Sequence, residues 1–358
     1  MFQNNYSINL DISDYTLKAC KLVQKRKGIF LDTIKTVQVP EGSIEKGRII
    51  NPEALSGLIR GILRDVMGGR ARTQFIHSVL PDNATFVKLI EVDVRDIPEK
   101  EVRSRIEQEI AHHIPYEIND IYLDFQRLGK ISESDTEEVL VGVCPKAVVD
   151  EYTKVINAAG FIPKSLEPEP LAITRAIFKI AKSQSLSNRN VIVVDFGAAR
   201  SGLIFWREQK YAKCDTIELS ISIPLSGREI NRVIEENLKL SFEQAELLKT
   251  KCGIRDDEEC KGVLLKLLKP VLTDLLTRIK QAINFHSTHF KGATTDKILL
   301  SGGGSNLKGL DAYLKGEIGV PVEYADPLVN IVNRAALDKE AALSYCTVIG
   351  FGLKDFHI

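Results

Sequence analysis

The chain has 358 residues, 44% of them hydrophobic and 27% charged, the balance of an ordinary soluble globular protein with two or three domains and a core of useful size. Its 48 basic and 48 acidic residues cancel, so no net field argues for nucleic acid or anionic lipid as a partner, although a local basic patch fits the same total. No basic region followed by an apolar one opens the chain and no stretch offers eighteen uncharged apolar residues, so the protein is expected in the cytoplasm, reaching a membrane only through something else.

Residues 7–23 alternate and then turn apolar, a β-hairpin through Ser13, Asp14 and Tyr15, and 29–39 extends the sheet. Asn51 and Pro52 open a helix whose buried stripe is Leu55, Ile59, Ile62, Leu63 and Val66 and which Gly68 and Gly69 end. After the strand 75–80 a different pattern begins at Ala84. A strand over 84–94 leads to a helix from Pro98 with Val102, Ile106, Ile110 and Ile114 on one side, stopped by Pro115; strands 121–128 and 138–144 flank the polar turn 132–137, and 148–159 is a helix ended by Gly160. This β-α-β-β-α order marks 84–160 as a small α+β unit inserted into a larger fold. A helix starts near Glu169, a polar loop covers 183–190, and strands follow at 191–196, 203–206 and 219–223. Helices are expected over 226–238, from Ser241, and over 261–290, where Pro270 interrupts the helix or opens its second half. Beyond them come a strand at 297–301, a helix at 309–314, a strand at 320–324, and a helical tail, 335–353, returning to the second half or packing back on the first. Strand-turn-strand begins at both residue 7 and residue 191, which suggests two related halves facing across a cleft.

The stretch 191–201, VIVVDFGAARS, carries the most chemistry. Four apolar residues run into Asp195, and a glycine turn begins at Gly197; such a strand is buried on both faces and its carboxylate emerges where ligands of α/β sheets usually sit. The strand 7–11 also ends in an acid, Asp11, with Ser13 and Lys18 beyond it, and the strand 297–301 runs into Gly302, Gly303 and Gly304. Two acids and a triple glycine at three strand ends suit a divided nucleotide site. Asp11 and Asp195 would hold a magnesium ion through its waters, Lys18 would approach the phosphates, and the amides after each aspartate would clasp them. The glycines would admit close backbone approach at the start of a helix whose N-terminus favours anions. An aspartate after a strand is also a common turn former and GGG a common helix start, so spacing alone leaves both readings open.

With these residues in this order the chain resembles the actin-like ATPase superfamily and, within it, the type IV pilus assembly family PilM, relatives of the cell-division protein FtsA. DISDYTLK, with Asp11, Ser13 and Lys18, resembles the first phosphate loop, and DFGAARS, with Asp195, Gly197, Ala198 and Arg200, the second. ILLSGGGSNLKGLDAYLKGEIGVPVEYADPL resembles the adenosine motif, and SFEQAELLK a ribose-facing helix that would place Glu246 and Lys249 beside ribose and base. IPLSGREINRVI, with Gly227, LEPEPLAITRAIF and HHIPYEINDIYLDFQ extend the resemblance over essentially the whole chain. It implies an α/β, duplicated actin-like (ribonuclease H-like) ATPase fold with an inserted small α+β subdomain. Residues 1–83 and 161–190 would form the first half, 84–160 the partner-docking insert, and 191–358 the second half. It further implies ATP and Mg2+ as ligands, and a cytoplasmic scaffold of the type IV pilus machine. Such a scaffold docks the cytoplasmic tail of a PilN-like bitopic inner-membrane protein, among other machine components, and is peripheral to that membrane. The strand 85–92 and the helix 99–114 would present an apolar groove and a sheet edge to that tail; Ile106, Ile110 and Ile114 serve equally well as the insert's core.

Three positions depart from the family's loops. Ser13 replaces a glycine and, were φ positive there, would strain the turn by roughly 1 kcal/mol. Ala199 and Arg200 replace small hydroxyl residues, and Arg200 either pairs with a γ-phosphate or fills its space, so ATP hydrolysis is expected to be slow or absent. Glu167 and Glu169 lie where actin-like proteins position an attacking water, and are equally suited to capping a helix beside prolines. Two further functions stand as alternatives: an FtsA-like division or filament-forming protein, and a sugar-kinase-like enzyme. The tail after FGLKDF offers no basic amphipathic helix for direct membrane attachment, and zero net charge leaves self-association to small oligomers open.

Other chemistries find no foothold. GxSxG, the P-loop and HExxH are all absent. His112 and His113 adjoin, so they cannot share a helix face, and His286 and His289, three apart, read as packing or solvated residues. The six cysteines include no CxxC, with only Cys252 and Cys260 close together, which fits reduced thiols better than a disulfide frame or a zinc site.

Overall fold

Residues 6–38 form a meander because alternate side chains of three adjoining segments are apolar. β1 (Tyr6–Ile12) is buried along nearly its whole length, β2 (Thr16–Lys25) buries Leu17, Ala19, Cys20 and Leu22, and β3 (Gly28–Gln38) forms the sheet edge. A computed structural model describes residues 6–68, 74–93, 97–130, 136–179, 189–208, 216–290 and 293–356. β6 (Phe75–Leu80) and β10 (Ile162–Pro168) join β1 in parallel, so the first sheet runs β10-β6-β1-β2-β3. Between β3 and β6 along the chain lie a short hairpin, β4 (Ile44–Glu45) with β5 (Arg48–Ile49), and α1 (Pro52–Met67). α1 starts where expected: the Asn51 side chain accepts from the Ala54 amide, and Gly68, at φ 66°, takes the left-handed conformation that ends it.

A second sheet repeats this order. β11 (Arg189–Phe196), β12 (Ser201–Glu208) and β13 (Thr216–Ile223) make an antiparallel meander, and β14 (Lys297–Ser301) and β15 (Val322–Tyr324) add in parallel beyond β11. α5 (Gly227–Leu238), α6 (Phe242–Cys252), α7 (Val263–His289) and α8 (Leu310–Ile318) follow this second meander, and their apolar residues share its core. α7 continues through Pro270 rather than breaking there. The polar loop expected at 183–190 lies mostly outside the described residues.

Strands from the stretch expected as an insert extend the second sheet. β7 (Phe86–Asp93) pairs with β13 at Leu219 and Lys88, and β9 (Thr136–Pro145) and β8 (Ile121–Lys130) follow, leaving β8 at the sheet's end. α2 (Glu99–Ile110) covers these strands, burying Val102, Ile106 and Ile110 in a core of their own. α2 stops at Ile110, short of Pro115, and the chain turns through His113 while Ile114 is only partly buried. Ile106 and Ile110 thus serve as core residues here, the second of the two roles expected for them. α3 (Lys146–Ala158) belongs elsewhere: Val148, Tyr152, Val155 and Ile156 pack with α1 and the first sheet, and the Tyr152 hydroxyl donates to the Gly47 carbonyl at 3.0 Å.

The tail is two helices. α9 (Lys339–Leu343) starts on the Asp338 side chain, and α10 (Cys346–Leu353), CTVIGFGL, is wholly apolar or small and buried at every position. Such a helix cannot stay at the surface. It lies against α4 (Glu169–Ile177), β1 and β2, so it completes the first sheet's core with Cys20, Leu22, Ile29 and Leu31 rather than returning to the second half. Gly350 permits the crossing, since a Cβ there would stand 1.8 Å from the Ala172 carbonyl oxygen.

Cys252 and Cys260 form a disulfide, with Cα atoms 5.5 Å apart, which corrects the expectation of reduced thiols throughout. α6 ends at Cys252 and the following turn returns Cys260 to it, a proximity that spacing alone did not indicate. Cys20, Cys144 and Cys346 are free and buried, and Cys214 lies outside the described residues. Among the described residues no helix is long and apolar enough to cross a membrane.

Candidate functional site

A cavity of about 800 Å³ lies between the two sheets, lined from one side by the ends of β1 and β6 with α4, and from the other by β11, β12, α5, α6 and the glycines after β14. Its size suits a nucleotide-sized ligand. Asp11, Ser13, Lys18, Glu169, Asp195, Gly197, Ala198, Arg200, Gly227, Glu246, Lys249, Gly302, Gly303 and Gly304 all line it; Glu167 does not.

The two aspartates hold equivalent stations. Asp11 is the penultimate residue of β1 and faces Lys18 across the hairpin, while Asp195 is the penultimate residue of β11 and faces Gly202. Lys18 Nζ lies 3.5 Å from Asp11 Oδ2. Burial raises the Asp11 carboxyl above its ordinary range even against the pull of Lys18, and it pushes Asp195 up to about 6 although Ser301 and Lys18 oppose it.

The loop after β1 is unstrained. Ser13 is not among the residues with positive φ, and its hydroxyl donates to the Thr16 carbonyl at 3.0 Å, closing the hairpin turn. The loop after β11 is tied down by its carbonyls, because the Gly227 amide donates to Gly197 at 2.9 Å and the Arg228 amide to Ala198 at 3.1 Å. Ala198, Ala199, Asp14 and Tyr15 keep amides with no backbone acceptor among the described residues. Arg200 lines the cavity without standing free: it ion-pairs with Asp14 at 3.0 Å and hydrogen-bonds to Asn83.

The triple glycine answers two different demands. A Cβ at Gly302, where φ is 81°, would stand 2.6 Å from the Phe196 carbonyl oxygen, and one at Gly304 2.7 Å from the same atom. These two glycines let the turn sit on the end of β11. Gly303 meets only the Ser344 side chain, at 3.4 Å. The turn, Gly303–Asn306, is a single 3-10 turn and not the start of a long helix, so the expected helix N-terminus is absent there.

On α6, Glu246 bridges Lys249 at 2.6 Å and the Asn231 amide at 2.5 Å, an arrangement that holds its carboxyl below the usual range despite burial. Arg228 lies over the Phe242 ring at 4.1 Å and near the Tyr15 ring at 5.9 Å, reaching from the second half to the first. The two candidate acids of LEPEP part company. Glu167 is buried under Arg175 (2.6 Å) and Lys354 (2.9 Å), which outweigh burial and keep it ionised. Glu169 faces the cavity and accepts from Thr347 at 2.9 Å; burial and the nearby Asp195, Asp11 and Asp82 raise its carboxyl well above the usual range.

Asp82, Arg228 and Thr347 are lining residues that the sequence reading missed. Asp82 had a signal: it follows a strand, 75–80, as Asp11 and Asp195 follow or end theirs. Burial pushes it up to about 6, opposed by the nearby Ser222 hydroxyl and the charge of Arg200. The histidines lie elsewhere. His286 is buried, bonded to Glu218 at 2.7 Å and stacked on Phe205, while His289 is exposed and His113 contacts Lys88. Among the described residues no three His, Cys, Asp or Glu side chains gather closely enough to hold a metal ion directly.

Two sheets of like order, with a cavity between them and acids at matching strand ends, make a fold that resembles that of the actin/FtsA-like ATPases. The solved PilM-PilN type IV pilus biogenesis complex contains a chain of this fold, TM-score 0.81 and 22% identical over 98% of this chain and 99% of that one. Residues 9–356 match the family model described as type IV pilus assembly protein PilM, and the chain belongs to that family. MreB5 of Spiroplasma citri bound to ADP is more distantly alike, with TM-score 0.51 and 13% identity over 97% of this chain and 95% of that one. The cell division protein FtsA of Buchnera aphidicola subsp. Baizongia pistaciae (strain Bp) is 27% identical over 293 residues, 72% of this chain; the match spans 66% of that relative, just under two thirds of its length.

Proposed function

We propose that this chain binds ATP with Mg2+ between two halves of a duplicated fold. In this state it serves as a cytoplasmic scaffold of type IV pilus assembly, docking the cytoplasmic tail of a PilN-like bitopic membrane protein and lying at the inner membrane only through that partner. The observation that carries the nucleotide is the pairing of Asp11 and Asp195 at matching strand ends, each beside a loop with unpaired amides. The donor set suits the ligand: amides, Lys18 and Lys249 for phosphate and sugar oxygens, and carboxylates that form no three-ligand cage among the described residues but can hold the water shell of a magnesium ion. The ion would neutralise phosphate charge, and the chain's residues would orient the nucleotide. Hydrolysis is slow or absent in this reading, because burial and the neighbouring acids disfavour the ionised form of Glu169 that a general base needs, and Arg200 is engaged by Asp14. A calorimetric titration tests the binding: heat with ATP and Mg2+ is expected, and none from folded, nucleotide-free protein would refute it.

The docking surface lies on the insert. β8 ends the eight-stranded sheet and can accept an extended segment as an added strand, with exposed Tyr122 and Tyr116 near its start. Since α3 belongs to the first half's core, the test removes residues 86–145 and not 84–160. The partner's tail peptide should bind the whole chain and not this deletion; equal affinity for a folded deletion would refute the site. Its place in the family supports the pilus reading over a division protein, and pilus inner-membrane genes beside this one would support it further.

A further inference from the structure

Asp82 lies at the turn (Asp82–Ala84) that carries the chain from β6 into β7, the first strand of the insert. It is 7% exposed, it lines the cavity, and its Oδ2 has no hydrogen-bond partner. An orphaned carboxylate oxygen in a buried site is costly unless something else answers it. Its surroundings point to what that is. A Cβ built on Gly202 would stand 3.5 Å from Asp82 Oδ2 and 4.0 Å from the Asp195 Cβ, so Asp82 and Asp195 flank the same bare position. In the first hairpin the corresponding place, opposite Asp11, holds Lys18. In the second it holds no side chain, and a second carboxylate lies beside it. The charge of Asp82 is felt at both Asp195 and Glu169, which places three acids around one space, and Arg200, the nearest cation acting on Asp82, is drawn away to Asp14.

We propose that Asp82 is a cation-holding residue of the cavity, a carboxylate that accepts from the water shell of the divalent ion beside Asp195. The inference rests on the nucleotide reading of the cavity and adds a residue to it. Among the described residues no three acids gather into a direct ligand cage, and magnesium, which keeps several of its waters, needs acceptors for that water shell.

The test separates cation from nucleotide. ATP affinity is measured for the full chain and for Asp82→Asn, with Mg2+ and with EDTA, and the ratio of the two is the readout. The variant should lower the Mg2+-dependent gain by about 10–100-fold, as removal of outer-sphere partners does, and leave the affinity in EDTA unchanged. An unchanged ratio overturns the role of Asp82. Absence of Mg2+-dependent ATP binding in the unmutated chain overturns the nucleotide reading and this inference with it. A second measurement needs no variant: Fe2+ replaces Mg2+ in the ATP-bound protein, ascorbate and peroxide generate hydroxyl radicals, and oxidised peptides are mapped. Oxidation is expected at 81–83 together with Asp11 and Asp195; oxidation at those two aspartates alone overturns the assignment.

Discussion

Arg200 Nη2 stands 3.0 Å from Asp14 Oδ1, an ion pair that ties the loop after β11 to the loop after β1 across the cavity. Both side chains are largely buried, at 17% and 11% exposure, so removing one leaves the other desolvated and unpaired. Arg200→Ala should destabilise the ligand-free protein by about 2 kcal/mol, and a double-mutant cycle with Asp14→Ala should give a coupling of roughly 0.5–3 kcal/mol. The same substitution should enlarge the radius of gyration in X-ray scattering without nucleotide. Additive effects of the two mutations would show that the halves are not held together by this pair.

The cavity acids set an unusual pH profile. Asp82 and Asp195 are pushed from 3.8 up to about 6 by burial, so between those values the folded chain holds more protons than the unfolded one. Stability therefore falls as pH rises through that window and levels off above it. Asp355, drawn down to about 2 by His77 and Lys164 against burial, and Glu167 act oppositely: their contribution is present above about pH 4 and lost as pH falls. Thermal denaturation of the ligand-free protein should give a higher midpoint at pH 5 than at pH 7.5. Asp82→Asn should remove roughly 1.4 kcal/mol of that difference, because pH 5 lies about one unit below its folded value. A higher midpoint at pH 7.5 would contradict the assignment of these shifts.

Glu167 and Glu169, two residues apart, should behave as different kinds of residue. Glu167→Ala strands Arg175 and Lys354 and should cost about 3–5 kcal/mol in urea denaturation, with the ATP affinity of the protein that remains folded unchanged. Glu169→Gln replaces a carboxyl whose charged form burial and the nearby acids disfavour, and keeps the Thr347 contact, so stability should move by under about 1 kcal/mol. Equal losses from the two would mean that Glu169 is also a structural anchor.

The three glycines can be ranked by melting temperature. Gly302→Ala and Gly304→Ala drive a methyl into the Phe196 carbonyl and should each cost about 1–3 kcal/mol, the first more because of its positive φ. Gly303→Ala should be nearly neutral in stability, its effect confined to ligand binding.

What was legible in the sequence was local. Asn51 with Pro52, the capping box of Ser241 and Gln244, and the alternation of residues 7–23 each encode their element within a few residues, and those elements stand where expected. The strand-end acids were readable for the same reason. What escaped depends on contacts between distant segments. Glu167 meets Lys354 only after the tail has crossed to the first sheet, and Ile106 and Ile110 look alike whether they line a groove or fill a core. Asp82 sat in a Pro-Asp-Asn turn, whose composition explains itself without a ligand. Whether Ser13 was strained turned on a φ angle that its identity does not determine.

α10 lies over β1 and β2, with the Ser7 hydroxyl donating to the Gly352 carbonyl at 2.9 Å and the Cys20 thiol to Val348 at 3.2 Å. During synthesis the meander of β1 to β3 leaves the ribosome early, yet the face bearing Cys20, Leu22 and Ile29 has no cover until residues 346–353 emerge. The nascent first half must therefore wait, sticky and incomplete, while the insert and the second sheet are made. Domain-by-domain maturation is closed to this chain, and a chaperone that shields apolar strands would act on its opening hairpin for most of translation.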